Sequence, residues 1–143
     1  MFSDKITLEN FSKLKSIGKI ETSTFPGFPT DLQSLILVMQ TISKGTSISH
    51  ETVFEARFKV VAELLKMGAK INVSERYATV VGVQKLKPAE VVCPDLRGGA
   101  GLVLAGLVAK GKTTIDKIYH IERGYFNLDL NLKKLGAIID KVE

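Results

Sequence analysis

The sequence predicts an α/β (α+β) fold, in which two βαβαβ-type units follow each other with helices buried and sheets outside. Three observations support this prediction. Strand-like and helix-like segments alternate along the 143 residues, and their order in the first half returns in the second. An apolar run over residues 102–109 lies in a helix-like segment and has no polar face. A helix that is apolar all round must be buried on all sides, so the helices are expected inside.

The first unit opens with a helix that follows the Pro- and Gly-containing residues 26–30. Thr30 and Gln33 form a capping-box pattern, which predicts the start of this helix. Its apolar residues fall on one predicted buried face, formed by Leu32, Leu35, Met39 and Ile42. Gly45 ends the helix, and the alternating residues 46–53 predict a strand.

A second helix and two strands complete the first unit. Residues 58–67 have apolar side chains at helical spacing and end before Gly68, a typical position for a helix C-cap. Residues 69–73 and 77–83 are rich in β-branched residues and predict two short strands. The first unit is therefore expected to be βαβαββ, over residues 19–87.

The second unit, over residues 88–143, repeats this order. Its segments are a strand over 90–93, a long helix over 95–110, a β-rich run over 113–121 and a helix over 126–135. Superposing the halves pairs Asp31 with Asp95, Gly45 with Gly111, Arg57 with Arg123 and Gly68 with Gly136. These pairs indicate a duplicated structural unit.

Residues 106–113, GLVAKGKT, match the pattern of a phosphate-binding nucleotide loop. Such a loop must follow a strand and open a helix, because the helix N-terminus supplies the amides that hold phosphate. Here a helix-like run comes before Gly111, and β-branched residues come after it. The sequence therefore predicts the exit of a buried helix and no nucleotide site.

Composition excludes several function classes. The net charge is +5, but the basic residues form no run and have no aromatic residues between them, which disfavours a nucleic-acid partner. No apolar stretch is long enough to cross a membrane, and no membrane partner is expected. The single cysteine rules out an internal disulfide and fits a cytoplasmic location. The two histidines come without a ligand cluster, so neither a metal site nor a cofactor is expected.

The charged residues near predicted element ends are the first candidates for a site. Asp31 and Asp95 stand at equivalent helix starts, where free amides stabilise a carboxylate with or without a further function. Three of the four arginines, Arg57, Arg97 and Arg123, lie at or beside element ends. They are candidates for an anion-binding rim, and surface ion pairs are the alternative.

Two further features are open to more than one interpretation. Cys93 has no neighbouring base to activate it, which favours a buried structural thiol. The glycine-rich residues 97–101 stand at a helix start. They could let a ligand approach the backbone, or they could relieve helix packing.

Four ordered segments, residues 25–33, 51–58, 94–107 and 118–125, together resemble one family. They are similar to the C-terminal part of the UDP-N-acetylglucosamine 1-carboxyvinyltransferases, which are enolpyruvyl transferases of peptidoglycan synthesis. The sister enzyme, 5-enolpyruvylshikimate-3-phosphate synthase, shares the fold but not the amino-acid sequence of residues 25–33. The resemblance implies an inside-out α/β barrel of repeated units and a transfer of enolpyruvate from phosphoenolpyruvate to a sugar hydroxyl.

The resemblance also implies roles for individual residues. Asp31 would contact the sugar hydroxyl and act as the general base, and the backbone of Val53 would hold the UDP-sugar. The charged residues around phosphoenolpyruvate would be Arg57, Asp95, Arg97 and Arg123. The arginines would bind its carboxylate and phosphate, and the aspartate would help in proton transfer. The catalytic candidates are thus Asp31, Asp95 and Arg123.

Finally, the resemblance implies that this chain covers two of six units. Residues 1–18 would then be the truncated end of a preceding unit, and the second unit would lack its closing strand. Cys93 does not match the reactive cysteine of the family. The isolated chain is therefore not expected to turn over, and its partners would be the two substrates, the rest of the parent chain and, through exposed edges, a second copy. The alternatives are a non-catalytic UDP-sugar-binding, anion-binding or interaction domain, and a fragment of the sister synthase.

Overall fold

The computed structural model describes Thr7, Glu9 and residues 13–142. Six strands lie in this part of the chain: β1 (Lys19–Glu21), β2 (Thr46–His50), β3 (Lys70–Ser74), β4 (Tyr77–Val81), β5 (Glu90–Val92) and β6 (Thr114–Asp116). The helices there are α1 (Gln33–Thr41), α2 (Val61–Lys66), α3 (Leu96–Val108), α4 (Tyr119–Glu122) and α5 (Leu128–Lys134). Short 3₁₀ turns, Thr30–Leu32 and Arg57–Val60, lead into α1 and α2.

The strands form two sheets that begin in the same way. In the first sheet the strand order is β1-β2-β4-β3, with β1 and β2 parallel and the β3–β4 hairpin antiparallel. The second sheet is the parallel pair β5 and β6. In both sheets a helix, α1 or α3, connects the parallel strands. This mixture of helices and strands confirms the predicted α/β class.

The helices meet in a core that lies behind the sheets. α1 packs against α3, and fully buried Leu37, Leu64 and Leu102 belong to one apolar cluster. On the first sheet, Ala78 and Val80 face this cluster, whereas the alternate residues of β4 are more exposed. Helices are therefore inside and sheets outside, as predicted. Two segments depart from this prediction: the last turn of α3, where Leu107 and Val108 are exposed, and α5, which has no buried residue.

The predicted buried face of α1 is wrong. Leu32 and Met39 are 44% and 43% exposed, whereas polar Gln33 and Gln40 are buried with Leu37. Gln40 Oε1 accepts a 2.8 Å hydrogen bond from Ser49, which offsets part of the cost of burying a polar group. Gln40 Nε2 and both polar side-chain atoms of Gln33 have no hydrogen-bond partner among the described residues. The capping box is also wrong, since the helix start has no side-chain cap and Thr30 points to another partner.

The repeat-aligned glycines all have a positive φ. Gly45 and Gly111 have φ of 113° and 132°, and Gly68 and Gly136 have φ of 82° and 94°. Only glycine adopts such angles readily, and these positions follow helix ends in both halves. Gly111 is also confined by space, because a Cβ there would lie 2.8 Å from Pro88 Cγ.

The segment that resembles a nucleotide loop joins a helix to a strand. α3 ends at Val108 with Ala109 as its C-cap, and β6 begins at Thr114. No helix starts after the glycines, so their amides lack the helix N-terminus that a phosphate loop requires. The interpretation as a helix exit is confirmed, although the helix ends three residues before Gly111.

The β-rich run over 113–121 is only partly a strand. β6 ends at Asp116, and Lys117 adopts a φ of 57° that turns the chain into α4. Ile118 and Ile121 then pack at helical spacing into a second apolar cluster with Cys93. This tertiary packing outweighs the β preference of the isoleucines.

The proposed unit boundaries remain a prediction. A single apolar cluster includes Leu64 from the first predicted unit and Leu102 from the second. The end of a preceding unit, predicted over residues 1–18, lies largely outside the described residues. Among the residues that the structure does describe, no helix has the length and apolar character needed to span a bilayer.

Candidate functional site

Asp31 and Arg97 form a two-point ion pair where α1 and α3 begin. Arg97 Nε donates to Asp31 Oδ1 at 3.1 Å, and Arg97 Nη2 donates to Asp31 Oδ2 at 2.8 Å. The packing of α1 on α3 brings these helix starts together although the residues are 66 positions apart. The Asp31 side chain is still 55% exposed, so its carboxylate can reach a ligand.

Arg57 lies on the other side of the same carboxylate. Its Nη2 is 3.7 Å from Asp31 Oδ1, and its Nε donates to Thr30 Oγ1 at 3.2 Å. Its guanidinium carbon lies 4.4 Å from the centre of the Phe54 ring, in cation–π contact. The Arg57 side chain is only 11% exposed, and these contacts hold it in one orientation.

Asp95, the repeat mate of Asp31, caps α3. Its Oδ1 accepts a 2.8 Å hydrogen bond from the Gly98 N–H, which satisfies an amide of the first turn. Asp31 makes no such bond in its own turn. The structural role considered for both aspartates is therefore found for Asp95 and not for Asp31.

These side chains surround a cleft of about 380 Å³. Its lining residues are Asp31, Phe54, Ala56, Arg57, Lys59, Asp95, Leu96 and Arg97. Three cationic and two anionic side chains give the cleft an excess of positive charge. Two planar guanidinium groups beside one opening can bind a carboxylate or phosphate through paired hydrogen bonds.

Arg97 has a third neighbour beyond the cleft. Its Nη1 donates to Tyr125 Oη at 3.3 Å. The hydrogen bond to Tyr125, with a further contribution from Asp31, raises the pKa of Arg97 above its ordinary value. The guanidinium is therefore charged at every accessible pH and has two anchors.

The structure does not bring Arg123 into the cleft. Arg123 is exposed at the end of α4 and is not among the lining residues. Within the described part of the chain it makes no side-chain hydrogen bond or ion pair. Its place near a ligand remains a prediction, based on the family resemblance.

Val53 lies in the loop between β2 and Arg57. Its N–H donates to Glu51 Oε1 at 2.9 Å, and its side chain is exposed. A ligand held by the Val53 backbone would therefore meet the carbonyl oxygen, because the N–H is already used.

Glu51 is a site residue that sequence reasoning missed. It is 1% exposed, and its carboxylate accepts hydrogen bonds from Val53 and Phe54 N–H and from two threonine hydroxyls. Burial by itself would raise the pKa of Glu51, but the bonds from Phe54, Val53 and the threonines together lower it below its ordinary value. The sequence predicts a strand over residues 46–53 and so places Glu51 within it, whereas β2 ends at His50 and Glu51 begins the turn that follows.

The glycine-rich helix start serves packing. A Cβ on Gly98 would lie 2.8 Å from Pro94 Cγ, and one on Gly101 would lie 3.2 Å from the carbonyl oxygen of Ser34. A Cβ on Gly99 would overlap Cys93 Sγ and the Ile121 side chain. Of the two alternatives for residues 97–101, these contacts support relief of helix packing.

Cys93 has the properties of a structural thiol. It is 1% exposed, and its Sγ donates to the Asp95 carbonyl at 3.2 Å. Burial raises the pKa of Cys93 to about 11, so the thiolate is scarce at neutral pH. This environment does not suit a nucleophile.

Comparison with known proteins identifies the family. The family model described as EPSP synthase (3-phosphoshikimate 1-carboxyvinyltransferase) matches residues 3–132. A Symbiobacterium thermophilum protein named UDP-N-acetylglucosamine 1-carboxyvinyltransferase 1 is 52% identical over 141 residues, covering 99% of this chain and 32% of the relative. A Thermodesulfovibrio yellowstonii protein named UDP-N-acetylglucosamine 1-carboxyvinyltransferase is 52% identical over 124 residues, covering 87% of this chain and 30% of the relative.

The solved structures agree. The enolpyruvyl transferase NikO from Streptomyces tendae superposes with a TM-score of 0.80 at 29% identity, over 89% of this chain and 29% of that one. The chain thus spans less than a third of the length of these relatives. The match to the family model covers most of the chain, and the chain belongs to the EPSP synthase family of enolpyruvyl transferases.

Proposed function

We propose that the protein containing this chain transfers enolpyruvate from phosphoenolpyruvate to the 3-hydroxyl of UDP-N-acetylglucosamine and releases phosphate. The observation that carries this proposal is the 52% identity to relatives that are named for this sugar substrate. The reaction would be the first committed step of peptidoglycan synthesis. We place it in the cytoplasm, where a free thiol such as Cys93 is stable.

The cleft fits an anionic substrate. Phosphoenolpyruvate carries a carboxylate and a phosphate, and Arg57 and Arg97 present forked donors side by side. We assign these two anionic groups to the two guanidinium groups, with Arg123 as a further contact for the phosphate. Because Arg97 is also held by Tyr125, it can exchange Asp31 for substrate without losing its position.

Asp31 supplies the base in this proposal. A general base must lie within hydrogen-bond reach of the proton that it removes, and the exposed Asp31 carboxylate at the mouth of the cleft can meet a sugar hydroxyl. Binding of phosphoenolpyruvate to Arg97 would release the Asp31 oxygens that Arg97 now holds. Asp95 keeps one carboxylate oxygen on Gly98 and can use the other in proton transfer.

In this chain the cleft is enclosed on one side only, which supports the expectation that the isolated chain does not turn over its substrates. The cleft opens to solvent, and the residues that line it come from the 3₁₀ turn before α1, the start of α3, and the loop and 3₁₀ turn before α2. We infer that the rest of the longer protein closes this cleft around both substrates. Exclusion of water is needed because it strengthens charge stabilisation in the transition state.

A chimeric enzyme tests the proposed function. The matching 141 residues of the Symbiobacterium thermophilum relative would be replaced by those of this chain, and phosphate release would be measured with phosphoenolpyruvate and either sugar substrate. We expect release with UDP-N-acetylglucosamine and none with shikimate 3-phosphate. The reverse preference would favour the sister synthase. A folded but inactive chimera would contradict the assignment.

The non-catalytic alternative is tested on the isolated chain. Calorimetry with UDP-N-acetylglucosamine would show whether the chain binds the nucleotide sugar by itself. Measurable binding that Asp31→Ala abolishes would favour a binding domain, provided that the chimera is inactive. Binding together with an active chimera would instead assign the same aspartate to the enzyme.

We also infer that a second copy of the chain docks on the groove beside the second sheet when the chain is alone. This groove, of about 1000 Å³, lies between β6 and residues 138–142. The repeat aligns residues 138–142 with β3, and in the first sheet β4 fills the corresponding place between β2 and β3. Exposed Phe126 and Ile138 make this edge apolar, and unpaired apolar edges associate.

A further inference from the structure

Glu51 lies at the centre of a buried hydrogen-bond network next to the cleft. It follows β2, and its Oε1 accepts from Thr22 Oγ1, Val53 N and Phe54 N, each at 2.9 Å. Its Oε2 accepts from Thr30 Oγ1 at 2.9 Å. All four donors are neutral, so no salt bridge within the described part of the chain explains why a charged group is buried here. A carboxylate with this many acceptor sites suits the place because a neutral side chain cannot accept as many bonds.

The first branch of the network shapes the loop that leads to Arg57. The N–H groups of Val53 and Phe54 both point at Glu51 Oε1, which fixes the turn over residues 51–54. This turn places the Phe54 ring 4.4 Å from the Arg57 guanidinium carbon. Glu51 thereby fixes the position of the Phe54 ring, against which the Arg57 guanidinium lies.

The second branch reaches Arg57 through a hydroxyl group. Thr30 Oγ1 gives its one proton to Glu51 Oε2, so its lone pairs face the Arg57 Nε–H, which donates to it at 3.2 Å. An ionised carboxylate fixes the direction of this relay, since it can only accept. Two independent branches from one carboxylate therefore converge on one guanidinium group.

We propose that Glu51 is a positioning residue. It orients the Arg57 guanidinium to bind an anionic ligand, through Thr30 and through the Phe54 turn. Glu51 touches no ligand itself, because it is buried behind the cleft and is not among its lining residues. In the enzyme this role rests on the proposed function, in which Arg57 binds phosphoenolpyruvate. The hydrogen-bond relay to Arg57 does not rest on it.

Three variants of the chain separate the two branches. Thr30→Val removes the hydroxyl relay and leaves the Glu51 turn intact, whereas Thr30→Ser keeps the relay and is the matched control. Glu51→Gln weakens both branches, because its amide nitrogen can only donate and would face the Thr30 hydroxyl as a second donor. The readouts are hydrogen exchange of the Arg57 Nε–H and of the Val53 and Phe54 amides by NMR, and the affinity for inorganic phosphate.

The expected pattern differs between the variants. In Thr30→Val the Arg57 Nε–H exchanges about tenfold faster and phosphate binds about tenfold more weakly, while the Val53 and Phe54 amides keep their protection. In Glu51→Gln all three groups lose protection, and Thr30→Ser resembles the parent chain. Unchanged Arg57 exchange and phosphate affinity in Thr30→Val would overturn the proposal, even if Glu51→Gln did not fold.

The same variants in the chimeric enzyme add a kinetic readout. Thr30→Val is expected to raise KM for phosphoenolpyruvate about tenfold, with KM for the UDP-sugar unchanged and Thr30→Ser restoring the parent value. A purely structural role would lower the melting temperature without this split. An inactive chimera would count against the proposed function. It would not affect the test of the relay from Glu51 to Arg57, because the NMR readouts need no turnover.

Discussion

Arg97 holds both carboxylate oxygens of Asp31 across the interface of α1 and α3, at 3.1 and 2.8 Å. A group that is committed in this way to a side chain must change partners when an anionic ligand arrives. Asp31 and an incoming anion therefore compete for one guanidinium group. Removing the Asp31 charge should therefore change the affinities of the cleft for an anion and for the UDP-sugar in opposite directions.

We expect Asp31→Asn to tighten phosphate binding and to weaken binding of the UDP-sugar. The first effect arises because a neutral amide no longer competes for Arg97, and an exposed ion pair is worth up to about 1 kcal/mol, or roughly fivefold in affinity. The second effect arises because the sugar hydroxyl loses a charged acceptor. Titration calorimetry of both ligands measures the two changes.

Asp116→Asn is the matched control for this substitution. Asp116 is exposed at the end of β6, outside the lining of the cleft, and its replacement changes the net charge equally. A similar gain in phosphate affinity in both variants would assign the effect to net charge. Weaker phosphate binding in Asp31→Asn would contradict the competition between Asp31 and the anion.

The buried Glu51 carboxylate predicts a pH dependence of stability. Burial opposes its ionisation, but the hydrogen bonds from Phe54, Val53, Thr22 and Thr30 lower its pKa below the ordinary value in the folded chain. A lowered pKa adds stability above the unfolded value of about 4.3, and this contribution is lost as the pH falls through the folded pKa. The free energy of unfolding should therefore fall in acid.

Urea unfolding of the parent chain and of Glu51→Gln from pH 7 to pH 3 isolates this contribution. The difference in unfolding free energy between them should be largest near neutral pH and should shrink below about pH 4.3. Glu63 also has a lowered pKa, but both chains contain it, so its effect cancels in the difference. A difference that stays constant over this range would show that Glu51 is not ionised in the folded chain.

Two glycines of α3 form a matched pair for a packing test. Gly99→Ala should destabilise the chain by about 1–3 kcal/mol, since its Cβ would overlap Cys93 and Ile121. Gly106→Ala should be neutral or stabilising by up to about 1 kcal/mol, because its Cβ would meet Thr113 only at an ordinary 3.4 Å and alanine favours a helix. Thermal or urea unfolding measures both. Equal effects of the two substitutions would refute the packing explanation of the glycine-rich segment.

Self-association through the groove beside β6 predicts a concentration-dependent mass. Light scattering should show a dimer at high concentration, and Ile138→Asp should return the chain to a monomer, because a charge would then face the apolar groove. Ile138 is 98% exposed in the single chain, and the control Phe25→Asp alters a 97% exposed residue away from the groove. A monomeric parent chain, or equal effects of both substitutions, would contradict docking at this groove.

The candidate site was only partly predictable. Asp31, Arg57, Asp95 and Arg97 were expected from their positions at element ends and from the family resemblance, and they line one cleft. The structure adds Glu51, whose burial depends on donors contributed by Thr22, Thr30 and its own loop. No local pattern marks such a residue, because Thr22 and Thr30 are distant from it along the chain. The roles of the site residues toward substrate remain predictions.

The sequence by itself determined most of the order of strands and helices, with α4 as an exception, together with the glycines that follow the helix ends and the family. These features have local causes, such as β-branched runs, helical spacing and backbone angles that only glycine adopts readily. The tertiary structure decided which face of α1 is buried, which aspartate caps its helix and which binds an arginine. Those outcomes depend on how α1 packs against α3, and the contacts between segments far apart in the chain do not follow from local periodicity.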